Sequence, residues 1–118
     1  MLVEKIIPAP ALQRERGPAP RLRSALFELA GGYGEIVSHH EMAWASITFN
    51  GKRHSLRIVF DGVEATEAGE RLIAALPDHE FHIPGQLVAD ATVSEAEHRL
   101  LPDERLEVLI EVLMLDDR

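Results

Sequence analysis

The six histidines are the residues of this chain best suited to chemistry, because imidazole ligates metal ions and takes up protons near neutral pH. Adjacent histidines lie in SHHE at 38–41, and His79 and His82 lie in DHEFHIPG at 78–85. Strand side chains alternate between faces, so neither pair would converge on one ion. No HExxH spacing with built-in convergence is present. We therefore predict no metal site and no cofactor, and zinc is the ion such residues would favour if one bound.

Nucleophilic catalysis has equally little support in the sequence. The serines lack a GxSxG elbow and an SxxK pair. Ser38, His39, His40 and Glu41 include the residue types of a hydrolytic triad, but adjacent strand residues diverge. The glycine-rich GGYG at 31–34 follows a predicted helix, whereas phosphate-binding loops precede one. We predict no catalytic residue and favour a binding protein, with a small enzyme as the alternative.

The charge and the cysteine content limit the kinds of partner and chemistry that are possible for this chain. The net charge is −8, with +3 on residues 1–60 and −11 on residues 61–118. The acidic total disfavours nucleic-acid binding, although a local basic segment leaves that contact as an alternative. This segment carries Arg14, Arg16, Arg21 and Arg23. The absence of cysteine excludes disulfides, thiolate metal sites and cysteine nucleophiles, and it fits a reducing cytosol. No apolar run is long enough to span a bilayer, so we expect a cytoplasmic protein without a membrane partner.

These residues must be positioned by a small set of elements. Residues 1–19 are predicted to form a short strand at 2–7 and a proline-rich arm, ahead of a single domain at 20–118. Apolar residues at helical spacing predict one helix over 20–30, which ends at a Gly-Gly pair, and another over 64–76. Gly69 inside the second helix either weakens the helix prediction or indicates a close approach to the sheet.

The segment from 41 to 62 predicts a β-hairpin. Two alternating runs flank Asn50-Gly51, a pair suited to a two-residue type I′ turn. That turn would place Trp44 opposite Arg57 and Met42 opposite Val59. It would also sort one set of apolar side chains onto the core face, namely Ala43, Ala45, Ile47, Phe49, Leu56, Ile58 and Phe60.

The C-terminal third predicts a second hairpin. Residues 87–94 alternate as a strand does, and the β-branched residues of 105–115 favour a strand there over a helix, which their spacing also permits. A turn at Pro102-Asp103 would join the two strands. It would pair Val93 with Val112, Ala91 with Met114 and His98 with Glu107.

The predicted fold class is α+β: a two-layer sandwich whose antiparallel sheet of four or five strands carries two helices on one face. The element order is (β)-α-β-β-α-β-β, and its first six elements match the order of ferredoxin-like folds.

The candidate binding surface is the hairpin face opposite the core, which would carry Met42, Trp44, Arg57 and Val59 with His40 nearby. Three interpretations compete. The arm or the C-terminal segment could cover this face, a second copy could pack on it, or it could line a pocket for a small anionic or aromatic ligand. In an enzyme, His40 would supply acid–base chemistry beside Asp90. We predict a homodimer formed through this open sheet face.

Overall fold

The computed structural model describes residues 17–117 of the chain. The predicted strand at 2–7 and most of the proline-rich arm lie outside this range. Two helices and four strands make up the described part. In chain order they are α1 (Pro18–Leu29), β1 (Glu35–Ala45), β2 (Asn50–Asp61), α2 (Val63–Ala75), β3 (Gln86–Arg99) and β4 (Arg105–Asp116), with a short 3₁₀ turn at Leu76–Asp78 after α2.

The four strands form one sheet in the order β1-β2-β4-β3, and every neighbouring pair is antiparallel. Each half of the chain is a helix followed by a hairpin, and the second strands of the two hairpins meet at the centre of the sheet. The predicted α+β two-layer fold is therefore confirmed, with four strands. Neither helix of residues 17–117 has the length and apolarity needed to cross a bilayer.

The hydrophobic core lies between the helices and one face of the sheet. Leu22 and Leu26 of α1 are spaced by four residues, as are Leu72 and Leu76 at the end of α2, so each pair occupies one helix face. The central strands contribute their alternate residues: Leu56, Ile58 and Phe60 from β2, and Leu106, Val108, Ile110, Val112 and Met114 from β4. Burying each of these large side chains contributes about 1.5–3 kcal/mol, so this face anchors both helices.

Glycines end α1 and seat α2. Gly31 and Gly32 have φ of 68° and 86°, and their N–H groups donate to the carbonyls of Glu28 and Phe27. This confirms the predicted helix stop. A Cβ at Gly69 would lie 2.7 Å from the Phe60 ring, so only glycine allows α2 this close to β2. The predicted close approach is confirmed too.

The predicted register of the first hairpin is wrong by six residues. Its turn lies at 46–49, where the Ser46 N–H donates to the Phe49 carbonyl and Ser46 Oγ accepts from the Thr48 and Phe49 N–H groups. Asn50 and Gly51 belong to β2 instead. A Cβ at Gly51 would overlap the Met114 carbonyl oxygen, so this glycine serves a close strand contact rather than a turn.

This change removes part of the predicted core. Trp44 pairs with Gly51 instead of Arg57, and Met42 pairs with Arg53 instead of Val59. Ala43, Ala45, Ile47 and Phe49 are exposed, because β1 and its turn extend past the helices. The β2 residues of the predicted core are buried as expected, since a shift by an even number of residues keeps each side chain on its face.

The second hairpin also forms with a shifted register. His98 pairs with Leu106, one residue from the predicted partner, because the turn sets a different register. Val93 pairs with Ile110 and Ala91 with Val112, two residues from the predicted partners, because a bulge at 93–95 adds a further residue. Residues 105–116 form a strand, as the β-branched residues predicted, and not a helix.

Residues 79–85, in contrast, form no strand, and β3 begins only at Gln86. Ile83 is buried and Phe81 half-buried, while His79 and His82 are exposed.

Candidate functional site

The sheet face opposite the helices, called the open face below, carries side chains from all four strands in regular rows. The pairing register defines each row across β1, β2, β4 and β3. At one end, Trp44, Gly51, Leu115 and Leu87 form an apolar row. At the other end, Glu35, Val59, Glu107 and Glu97 form an acidic row. The open face thus changes from apolar to acidic along the strands.

All the residues of the predicted binding surface lie on this open face, but they are spread along it. Trp44 and Met42 are near the apolar end, His40 lies opposite Ser55 in the middle, and Arg57 and Val59 are near the acidic end. Six residues separate Arg57 from Gly51, the partner of Trp44, which corresponds to about 20 Å along a strand. These residues therefore do not share one pocket. Met42 is 71% exposed and Leu87 is 52% exposed.

Arg57 is engaged by carboxylates of the same face. Its Nη1 donates to Glu107 Oε2 over 2.9 Å, and its Nη2 lies 3.8 Å from Glu95 Oε1. Arg53, one row from the apolar end, pairs with Met42 and Leu113 in the register. Within residues 17–117 it makes no ion pair. Among the described residues, Arg53 is therefore a cation without an ion pair that lies next to the apolar row of the open face.

A second cluster, which we did not predict, lies on the helix side of the same hairpin. Glu41 of β1 and His54 of β2 are direct cross-strand partners, and His39 precedes Glu41 by two residues on the same strand face. One ligand atom from each of these three residues lies within 4.8 Å of the others. We call His39, Glu41 and His54 the histidine cluster.

Hydrogen bonds link the cluster to α1. Arg23 Nη1 lies 2.9 Å from His39 Nδ1, and His39 Nε2 lies 2.9 Å from His54 Nδ1. Because a guanidinium can only donate, His39 Nδ1 accepts, which places the His39 proton on Nε2. That proton is donated to His54 Nδ1, so the remaining His54 proton is on Nε2. Among the described residues His54 Nε2 has no hydrogen-bond partner.

Lys52 is hydrogen-bonded to Glu41, the third residue of the histidine cluster. Lys52 Nζ donates to Glu41 Oε1 over 3.1 Å, and this pair is largely exposed. Burial raises the pKa of Glu41, but the hydrogen bond and charge of Lys52 outweigh it, so the net pKa lies below the usual range. Glu41 is therefore ionised at neutral pH.

Both histidines are neutral at physiological pH. Burial, followed by the proximity of His54 and Arg23, lowers the pKa of His39 to about 4. Burial also lowers the pKa of His54, with the Glu41 carboxylate opposing the shift. His54 is only 2% exposed, which explains why its charged form is costly. Neutral imidazoles keep a lone pair available, which is the form that binds a metal ion.

A cavity of about 520 Å³ adjoins the cluster where the start of α1 approaches the ends of the strands. Glu41, Lys52 and His54 line it together with Trp44, the only tryptophan of the chain. Neither His40 nor Arg57 lines it. Of the predicted surface residues, only Trp44 thus contributes to this concave region.

The sequence contained a signal for the cluster, but the predicted pairing hid it. A turn at Asn50-Gly51 places Ile47 opposite His54, whereas the observed turn places Glu41 there. The same register places His39 opposite Leu56 on the core face, and the bulge between Ile36 and Ser38 brings Ile36 to that face as well. A search for His and Glu at strand spacing across alternative hairpin registers would have found the cluster.

Comparison with known proteins found no matching family model and no match among curated proteins or solved structures. The function is therefore inferred from the geometry of the open face and the histidine cluster.

Proposed function

We propose that this protein is a cytoplasmic, non-catalytic binding module that assembles as a homodimer through its open face. The observation that supports this proposal most is the apolar row. Trp44, Leu115 and Leu87 lie level with one another across the sheet, and the described helices pack only on the opposite face. Leu87 and the neighbouring Met42 are exposed, whereas Trp44 is half-buried and Leu115 is buried. Exposed apolar side chains on a sheet face are typical of interfaces.

Charge complementarity between the two central strands favours a second copy as the occupant. A two-fold axis parallel to the strands, between β2 and β4, would place β2 of one copy over β4 of the other and β1 over β3. Arg53 and Arg57 of β2 would then face the strand that carries Glu107 and Glu111. Each copy would repeat this contact, because a two-fold interface is self-complementary.

The area of the open face is also sufficient for a stable dimer. Strands of about 12 residues rise about 3.3 Å per residue and lie about 4.8 Å apart, so a four-stranded face covers roughly 750 Å². Two such faces in contact would bury up to about 1,500 Å², which lies within the range of stable interfaces.

Sedimentation velocity of the untagged protein over a range of concentrations tests this proposal. We expect a dimer, and we expect Leu87→Asp and Met42→Asp to shift it towards monomer because both introduce charge at the interface. Both side chains are largely exposed, so the fold should tolerate these changes. Ile47→Asp is the matched control, since Ile47 is fully exposed in the β1–β2 turn and outside the open face.

A charge exchange tests the orientation. Arg53→Glu or Glu111→Arg alone should weaken the dimer, and the double variant should restore it. A wild-type protein that stays monomeric at every concentration would refute the dimer. If removal of residues 1–16 then exposed Trp44 fluorescence to quenchers, the N-terminal arm would be the occupant instead.

A second candidate function is supported by the cavity beside the histidine cluster. We propose that it accepts a small anionic ligand, which would contact Lys52 close to Trp44. Titration of small aromatic carboxylates, followed by Trp44 fluorescence, should show saturable binding that Lys52→Gln abolishes and Arg57→Gln leaves unchanged. Binding that ignores Lys52 would contradict this assignment. Nucleic-acid contact through the arm stays a prediction, because Arg14 and Arg16 lie outside the described residues.

A further inference from the structure

We propose that His39, Glu41 and His54 form a binding site for a divalent transition metal ion, with zinc as the preferred ion. The site lies on the helix side of the β1–β2 hairpin, opposite the proposed dimer surface, so it is independent of the proposed dimer. Two imidazoles and one carboxylate are a ligand set that zinc accepts.

The backbone already positions the three ligands. His39 and Glu41 are two residues apart on one strand, and His54 is the cross-strand partner of Glu41, so all three side chains leave the sheet on the same face. Both strands are hydrogen-bonded into the sheet, and His54 is buried within it. Ligands held by paired strands need little ordering when an ion binds.

The distances are close to those that coordination requires. The two facing ring nitrogens, His39 Nε2 and His54 Nδ1, are 2.9 Å apart. Two nitrogens bound to one tetrahedral zinc at about 2.05 Å would be separated by roughly 3.3 Å. A small rotation of either ring therefore opens the hydrogen bond enough to admit the ion. Glu41 would move closer, since one of its carboxylate oxygens lies within 4.8 Å of one ring nitrogen of each histidine.

The flanking cation Arg23 must move when the ion binds. An ion on His39 Nε2 leaves the ring proton on Nδ1, where the Arg23 guanidinium now donates. Two donors cannot face each other, so Arg23 must release His39. Lys52 donates to Oε1 of Glu41, so the other carboxylate oxygen can bind the ion. Arg23 therefore competes with the metal ion.

Three protein ligands leave one tetrahedral position for water or an anion. Because Glu41 and His54 also line the cavity, that position can be reached from it. The other described histidines lie elsewhere: His40 on the open face, His79 and His82 before β3, and His98 against Glu104.

The test is a titration of untagged, chelator-treated full-length protein with Co²⁺, whose visible absorption reports tetrahedral coordination, followed by displacement with Zn²⁺. We expect one Co²⁺ per chain. Glu41→Gln should weaken binding at least tenfold, and this exposed residue can be changed without disturbing the core. Arg23→Gln should tighten binding roughly tenfold, because it removes the competing cation and its amide oxygen can accept the new Nδ1 proton.

The matched control is the double variant His79→Gln/His82→Gln, which removes two exposed histidines and should bind Co²⁺ as the wild type does. His54→Ala should abolish the absorption band, with circular dichroism used to verify that it folds. The proposal is overturned if no stoichiometric binding occurs, if Glu41→Gln and Arg23→Gln leave the affinity unchanged, or if the control variant loses binding.

Discussion

The two faces of the β1–β2 hairpin differ in how their polar residues are arranged: they converge on the helix side and are spread out on the open face. On the helix side, His39, Glu41 and His54 converge within a few ångströms and are linked to α1 by Arg23. On the open face, Trp44 and Arg57 are far apart and belong to different rows. Residues that share a sheet face therefore need not share a site, because their separation along the strands decides whether they meet.

Packing explains this difference. The helix side is covered by α1, so polar groups there must find partners inside the protein, and they form a connected set. The open face is not covered by the described helices, so its polar groups can stay hydrated and need not converge. Polar side chains under a helix therefore tend to contact one another, whereas polar side chains on the open face can stay apart and contact water.

The strongest way to break this comparison is to truncate one leucine on each face. Leu72→Ala removes a fully buried side chain under α2 and should lower the free energy of unfolding by about 2–5 kcal/mol. Leu87→Ala removes one that is 52% exposed, and its effect on the monomer should be within about 0.5 kcal/mol. Urea unfolding below the concentration of self-association measures both. Equal losses would mean that the open face is packed in the monomer.

A glycine substitution tests how tightly the helix side is packed. Gly69→Ala should cost about 1–3 kcal/mol, since the new methyl group would lie 2.7 Å from Phe60 and 2.8 Å from Leu106. The expected sign is opposite to the usual gain for Gly→Ala in a helix. Comparing Glu67→Ala with Glu67→Gly, at an exposed position of the same helix, measures that usual gain. A stabilised Gly69→Ala would show that α2 can move away from the sheet.

We expect a smaller change in folding stability when the pH is lowered. A chelator is added to this measurement so that no metal ion binds the histidine cluster. The pKa of His39 is about 4 in the folded protein, below the value near 6.5 of an unfolded histidine, and the pKa of His54 is lowered too. The unfolded chain therefore binds more protons below about pH 6.5, and stability should fall as the pH drops from there towards 4.

Thermal unfolding at several pH values measures that fall. The melting temperature of His39→Gln should fall less steeply with acid than that of the wild type, whereas His79→Gln/His82→Gln should keep the wild-type slope. Equal slopes in all three proteins would show that the histidine cluster is not responsible.

Local patterns were sufficient to predict the elements of the fold. The spacing of Leu22 and Leu26, the Gly31-Gly32 stop and the β-branched residues of β4 each report a short-range preference, and those preferences agree with the final structure. The side on which most β2 and β4 residues lie was also predictable, because their alternation is uninterrupted.

Register and convergence were not predictable in the same way. Asn50-Gly51 is a strong turn signal, but Gly51 is needed where β2 passes close to the Met114 carbonyl, and Ser46 forms the turn instead. That competition depends on a strand more than 60 residues away in the chain, so no local pattern reports it. The histidine cluster depends on this register and was hidden for the same reason.

The extra residue in β1, Val37, has a consequence for how this chain can change. It shifts the phase of the strand: Ile36 faces the helices, and beyond Val37 the odd-numbered residues do so. Deleting Val37 without moving the turn would remove the bulge and leave Ile36, His39 and Glu41 on the helix side. Deleting a residue between Glu41 and the turn would instead send His39 and Glu41 to the open face. The deletion of one residue can therefore decide whether β1 places His39 and Glu41 on the helix side or on the open face.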